Sequence, residues 1–151
     1  ERNHEFVKSL GAAYAIDYGS EDVVVRIMEI TNGRGVDRVL AAVDETTADQ
    51  GIEVLAFRGG LATVAGLPQL AESTFDNARS IHRVAYGGAH TSTNREAQVD
   101  LALMAEEMIG LVAEKKIDPM IEQVIGLDDI PEGLAQLETR HVRGKIVAEL
   151  V

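Results

Sequence analysis

Apolar and polar residues fall in blocks along this chain, and the clearest block runs from Gly35 to Pro68. It reads GVDRVLAAVD, then ETTADQGIEVLAFR, then GGLATVAGLP. Val36–Val43 is a near-continuous apolar run after Asp37 and Arg38, the pattern of a parallel strand covered on both faces. The next segment sets Ile52, Leu55 and Ala56 on one side, with Ala48 a turn earlier, which predicts an amphipathic helix. Gly59 and Gly60 are placed to stop it, since glycine tolerates the left-handed conformation that closes helices. Leu61–Ala65 is apolar again. The three pieces make one βαβ unit joined by a right-handed crossover.

The same alternation continues on both sides. Phe6, Val7 and Leu10 predict a helix that ends at Gly11. Ala13–Tyr18 reads as a short strand. Ser20 is a good N-cap, with Glu21 and Asp22 against the positive end of a helix carrying Val23, Val24, Ile27 and Ile30. Ser80–Tyr86 reads as another strand, turned by Gly87-Gly88. Asn94 caps a long helix over Arg95–Glu114, with Leu101, Met104, Met108, Leu111 and Val112 as its stripe and both methionines in the core. Gly110 inside it costs about 1 kcal/mol relative to alanine, a sign of close packing. Asp118-Pro119 stops this helix. A strand follows over Ile121–Ile125. A last helix starts at Asp128 or Asp129, with Pro131 in its first turn and Ile130, Leu134 and Leu137 on its apolar side. Gly144–Val151 is a terminal strand. Strand and helix alternate throughout, which predicts an open parallel α/β sheet.

Composition narrows the partners. The chain has 151 residues, 46% of them hydrophobic, enough for a core. Its net charge of −11 argues against nucleic acid and anionic membrane surfaces as partners. A small phosphorylated ligand needs only a few donors and is not excluded. There is no cysteine, hence no disulfide and no thiolate metal site within these residues. No apolar run approaches the roughly 20 residues of a membrane span, so a cytoplasmic location is expected.

The runs LGAAYAIDY, EITNGRGVDRVLAAVD, GGLATVAGLP, VAYGGAH and RGKIVAEL occur in an order that resembles the medium-chain dehydrogenase/reductase superfamily, in particular its quinone oxidoreductase branch. The resemblance covers nearly the whole chain, with weak matching in the Leu70–Ala78 loop. It implies an incomplete Rossmann-type parallel sheet with flanking helices, lacking the first strands and the glycine-rich loop. Residues 1–120 would be the partial nucleotide-binding domain and 121–151 a return segment towards a catalytic domain. No G-x-G-x-x-G occurs in the 151 residues. Family logic places that phosphate loop, and any catalytic zinc ligands, upstream of Glu1, so a fragment or a shortened gene product is expected. The strand Ala13–Tyr18 would then lack a neighbour and Val36–Val43 would present a bare edge, which favours a homo-oligomer. The resemblance adds a second route to that end, since the family commonly dimerises through the edge equivalent to Ile81–Tyr86.

In open α/β sheets ligands sit beyond the carboxyl ends of the strands. Here those ends are Ala42-Val43-Asp44, Ala65-Gly66-Leu67 and Tyr86-Gly87-Gly88. On spacing alone the glycines read equally as turn residues. The resemblance makes Gly66 and Gly87 walls of a nicotinamide site, although Ala41 and Asp44 replace an acidic residue and a glycine that relatives often carry. It also sets Tyr18 and Arg140 against the 2′-phosphate of NADP(H), with Asn3 where relatives have a lysine. A phenol and a guanidinium suit a phosphate dianion. The plain readings stand beside these: Tyr18 as a strand end in solvent, Arg140 as a solvated helix-end charge. Lys145 matches a family lysine near cofactor or substrate, and its plain reading is a surface lysine.

His4, His82, His90 and His141 lack ligand-like spacing, so no metal is expected within this chain. No carboxylate pair suggests acid–base work. Two function classes follow. One is the cofactor-binding portion of an NADP(H)-dependent oxidoreductase that reduces a carbonyl, enone or quinone, the isolated chain being inactive. The other is a non-catalytic nucleotide-binding or oligomerisation module.

Overall fold

Val36–Ala41 (β1) runs parallel to Leu55–Thr63 (β2), which runs parallel to Ser80–Arg83 (β3). Leu40 pairs with Ala62 and Ala41 with Thr63; Ala62 pairs in turn with His82 and Thr63 with Arg83. The Val84 N–H donates to the Thr63 carbonyl at 2.8 Å. The predicted parallel order, with β2 in the middle, is therefore the observed one. These positions come from a computed structural model that describes residues 3–69, 78–91, 93–139 and 141–150. The chain divides into two compact units, Glu1–Tyr86 and Gly87–Val151.

In the first unit, helix α1 spans His4–Ser9 and α2 spans Val23–Ile30. The cap of α2 is Asp22, whose carboxylate accepts the Val25 N–H at 3.0 Å; Ser20 instead joins a turn on the Asp17 carbonyl. Ala13–Tyr18 is not a strand. Backbone donors and acceptors need partners, and among the described residues no strand lies beside this segment to supply them.

Helix α3 spans Glu45–Glu53, so it ends before Leu55 and Ala56, the last residues of its expected apolar side. Val54 is its C-cap, and Leu55 and Ala56 are buried at the start of β2. Gly59 and Gly60 sit inside the strand, where Val36 faces Leu55 but Arg38 already faces Gly60. The excess length is taken up by a bulge, and Arg58 adopts the left-handed conformation there at φ +64. An added Cβ at Gly59 would lie 2.8 Å from the Ala56 carbonyl. The two glycines thus serve the bulge rather than the helix end.

Ala41, Ala48, Leu55 and Leu61 form the core, with Val36, Val39 and Ile52 packed on it. A Cβ on Gly51 would come within 2.9 Å of Val39 Cγ1 and 3.2 Å of Leu61 Cδ1, so α3 lies very close to the sheet. The opposite face is open. Leu40 is 68% exposed there, beside a depression of about 550 Å³ lined by Arg38, Arg58, Ala62 and His82. β1 is thus covered on one face only within this unit, not on both as its apolar run suggests.

The second unit holds α4 (Gly88–Thr91), α5 (Arg95–Ala113), β4 (Ile121–Gly126), α6 (Ile130–Glu138) and β5 (Lys145–Glu149), with β4 and β5 parallel. Asn94 caps α5 by accepting the Ala97 N–H at 3.3 Å. Met104 and Met108, expected in the core, are exposed, and α5 has no buried residue. Gly110 does not mark close packing: an added Cβ there would meet nothing within 4 Å. The close approach is at Gly133 on α6, whose added Cβ would lie 2.8 Å from Ile125 Cδ1.

Gly35 turns the chain into β1 at φ +80, buried, with room for no Cβ: one would sit 2.5 Å from the Val54 carbonyl. Gly35→Ala is expected to cost about 2–4 kcal/mol, combining left-handed strain with a backbone clash. Urea denaturation of the two proteins measures it.

Candidate functional site

The tips of β1 and β2 meet at the start of α3. β1 runs on into Ala42 and Val43, both exposed, and then into Asp44. Asp44 is the N-cap of α3. Its carboxylate accepts the Thr47 N–H at 2.8 Å, and its own N–H donates to the Thr47 hydroxyl at 3.2 Å. This reciprocal box places a carboxylate on the positive end of the helix dipole.

β2 ends at Thr63, which is fully buried. The next residue, Val64, donates its N–H to the Ala41 carbonyl at 2.9 Å, tying the two tips together. The Thr63 hydroxyl donates to the Gly66 carbonyl. Gly66 has φ +89 and lies directly on the first turn of α3: a Cβ would be 2.8 Å from the Glu45 nitrogen. Ala65 is half-buried, Leu67 exposed and Pro68 buried. Beyond Pro68, Asp49 accepts the Gln69 backbone N–H at 2.6 Å and Glu45 accepts the Gln69 side-chain amide at 3.2 Å. Ala42, Val43, Ala65, Gly66 and Leu67 are therefore brought together. Tyr86, exposed, comes after β3 and closes the first unit.

The other predicted residues are taken each in its own unit. Tyr18 is 87% exposed in the turn before α2. Its neighbour Asp17 is held below the usual carboxylate range, chiefly by the Gly19 backbone N–H at 3.1 Å. Asn3 occupies the N-cap position of α1, its carbonyl accepting the Val7 N–H at 2.9 Å. Gly87 opens the second unit, with nothing within 4 Å of an added Cβ. Lys145 begins β5, and its ammonium donates to the Pro119 carbonyl at 3.0 Å. Arg140 lies outside the described residues. Among the described residues no group of three or more His, Cys, Asp or Glu side chains could hold a metal ion, and no helix is long and apolar enough to cross a membrane.

The sequence reading placed Asp44 at a strand end without its capping role and did not single out Thr63. The Asp44-x-x-Thr47 spacing was a usable capping signal. Thr63 carried a weaker one: a hydroxyl inside the apolar run LATVAG needs a partner if that run is buried.

Residues 10–147 match the sequence profile described as zinc-binding dehydrogenase. The chain belongs to the zinc-binding dehydrogenase family. Its family relatives include a zinc-type alcohol dehydrogenase-like protein of Schizosaccharomyces pombe, 28% identical over 97% of this chain and 41% of that protein. A quinone oxidoreductase-like protein 2 homolog of Nematostella vectensis is 24% identical over 93% of this chain and 39% of that protein. The chain thus spans about two fifths of the curated relatives it matches. In fold it is similar to the quinone oxidoreductase of Pseudomonas syringae pv. Tomato DC3000, with a TM-score of 0.70 at 23% identity over 99% of this chain and 46% of that one. The parallel β1–β2–β3 sheet of this zinc-binding dehydrogenase family member is thus of the Rossmann-like kind seen in that structure.

Proposed function

We propose that the chain is the cofactor-binding portion of an NADP(H)-dependent oxidoreductase that passes hydride to a carbonyl, enone or quinone. In this reading residues 1–120 belong to the nucleotide-binding domain and 121–151 lead towards the catalytic domain. The observation that carries it is the meeting of the β1 and β2 tips at one end of a parallel sheet, where the Val64 N–H is tied to the Ala41 carbonyl and the Gly66 turn follows. That is the position at which open α/β sheets take ligands.

These residues fit the nicotinamide end of a dinucleotide. Val43 and Leu67 supply exposed apolar surface that sheds water when covered. The bound cofactor supplies the hydride chemistry, and the chain supplies binding and orientation. The pyrophosphate is not held at α3, because Asp44 already occupies that helix end. A glycine-rich loop elsewhere has to take it. Tyr18, Asn3 and Arg140 are assigned to the 2′-phosphate, and Tyr86, Gly87 and Lys145 to the nicotinamide and substrate side. The filled helix end, together with the lack of G-x-G-x-x-G in these 151 residues, favours the second reading, a non-catalytic module.

Titration with NADPH, followed by nicotinamide fluorescence, separates the two. Cofactor binding predicts a saturable enhancement, and Arg140→Ala is expected to weaken NADPH about tenfold or more while changing NADH little, as loss of a charge-assisted phosphate contact should. Equal weakening of both removes the phosphate assignment. Failure of NADPH to bind at millimolar concentration supports the module.

Self-association belongs to the same proposal. Among the described residues β1 has a strand partner on one side only, and an open edge invites pairing. Light scattering on the eluting protein is expected to give at least twice the 16.3 kDa of one chain; a clean monomer at micromolar concentration contradicts it.

A further inference from the structure

Thr63 stands apart in the first unit. Among the described residues it is the polar side chain buried in full, at the last position of the middle strand. Its backbone carbonyl is already used by the Val84 N–H. Its hydroxyl reaches three residues forward to the Gly66 carbonyl, closing Thr63-Val64-Ala65-Gly66 into a tight turn. That turn delivers Gly66 at φ +89 onto the Glu45 backbone. On the far side, Asp49 and Glu45 hold Gln69. The segment Ala65-Gly66-Leu67 is therefore pinned at both ends, and one of the two pins is a single buried hydroxyl.

Valine has nearly the shape of threonine but no donor. In its place the Gly66 carbonyl loses the donor that holds it to the end of β2, and the turn, whose Gly66 is exposed, can relax away from α3. Across β1–β2 Thr63 pairs with the apolar Ala41 and across β2–β3 with Arg83, and the hydrogen bond its hydroxyl makes goes to neither of them but to Gly66. The hydroxyl serves the tip.

We infer that Thr63 is a positioning residue for the nicotinamide end of the cofactor, acting through Gly66 without touching the cofactor itself. This rests on the cofactor reading proposed above. The test uses the full chain and two probes, NADPH and 2′,5′-ADP, which carries the 2′-phosphate end without the nicotinamide. Thr63→Val is expected to weaken NADPH about tenfold, the usual consequence of a lost buried hydrogen bond. It should leave 2′,5′-ADP unchanged, and Thr63→Ser should restore NADPH to within about twofold. If Thr63→Val does not fold by circular dichroism, Thr63→Ala removes the same hydroxyl without setting a methyl against the Gly66 carbonyl, and the same split is expected. Equal weakening of both probes means general loosening and overturns the inference. So does a variant that binds NADPH as the wild type does, or a serine variant that fails to rescue. A wild-type chain that binds neither probe removes the cofactor reading and this inference with it; one that binds both, indifferent to Thr63→Val, removes the inference alone.

Discussion

The close seating of α3 on the β1–β2 pair is the constraint on which the first unit depends. The helix offers Ala48, with no exposed surface, and Gly51, with no side chain, to Val39 and Leu61 beneath it. Larger residues at either position would lift it away. The same economy governs both ends of the crossover: Gly35 passes under the Val54 carbonyl and Gly66 lies on the Glu45 backbone. Burying a leucine such as Leu61 contributes about 1.5–3 kcal/mol. With so few residues buried, a single misplaced Cβ is comparable in size to one of the core's largest contributions. The shape of the strand-tip site results from this packing, because the helix that sits low on the sheet also receives the Gly66 turn.

Much of this fold was legible as periodicity. The runs Val36–Val43 and Leu61–Ala65, separated by a helical stretch, could join only as parallel strands, and β1 and β2 are parallel. What periodicity could not give was the point where helix becomes strand. Leu55 and Ala56 continue the apolar side of α3 and also suit a buried strand, and the two glycines after them looked like a stop. The bulge at Arg58 settles the matter through backbone geometry that no hydrophobic pattern encodes. Ala13–Tyr18 failed for a different reason. Its sequence suits a strand, but a strand exists only beside another, and none of the described residues provides one.

The site divides in the same way. The strand tips were found because ligand position in open sheets is a property of topology, so Ala42, Val43, Ala65, Gly66 and Leu67 came directly from the strand order. The capping role of Asp44, and Thr63 altogether, were missed because they depend on where α3 begins and how β2 ends. The acidic cap has a plain physical role: the Asp44 carboxylate takes a backbone N–H in the first turn of α3 and so starts that helix. Asp17, next to Tyr18, stays ionised to lower pH than an ordinary carboxylate, chiefly because the Gly19 N–H donates to it.

The central claim is that β1, β2 and β3 lie side by side in one direction with β2 between the others, so that their tips gather at one end. Backbone nuclear Overhauser contacts in isotopically labelled protein test it most directly. The account predicts parallel-strand contacts linking Leu40 to Ala62 and Ala62 to His82 in the same sample. Contacts of the antiparallel kind at those pairs, or contacts joining β1 directly to β3, would contradict it.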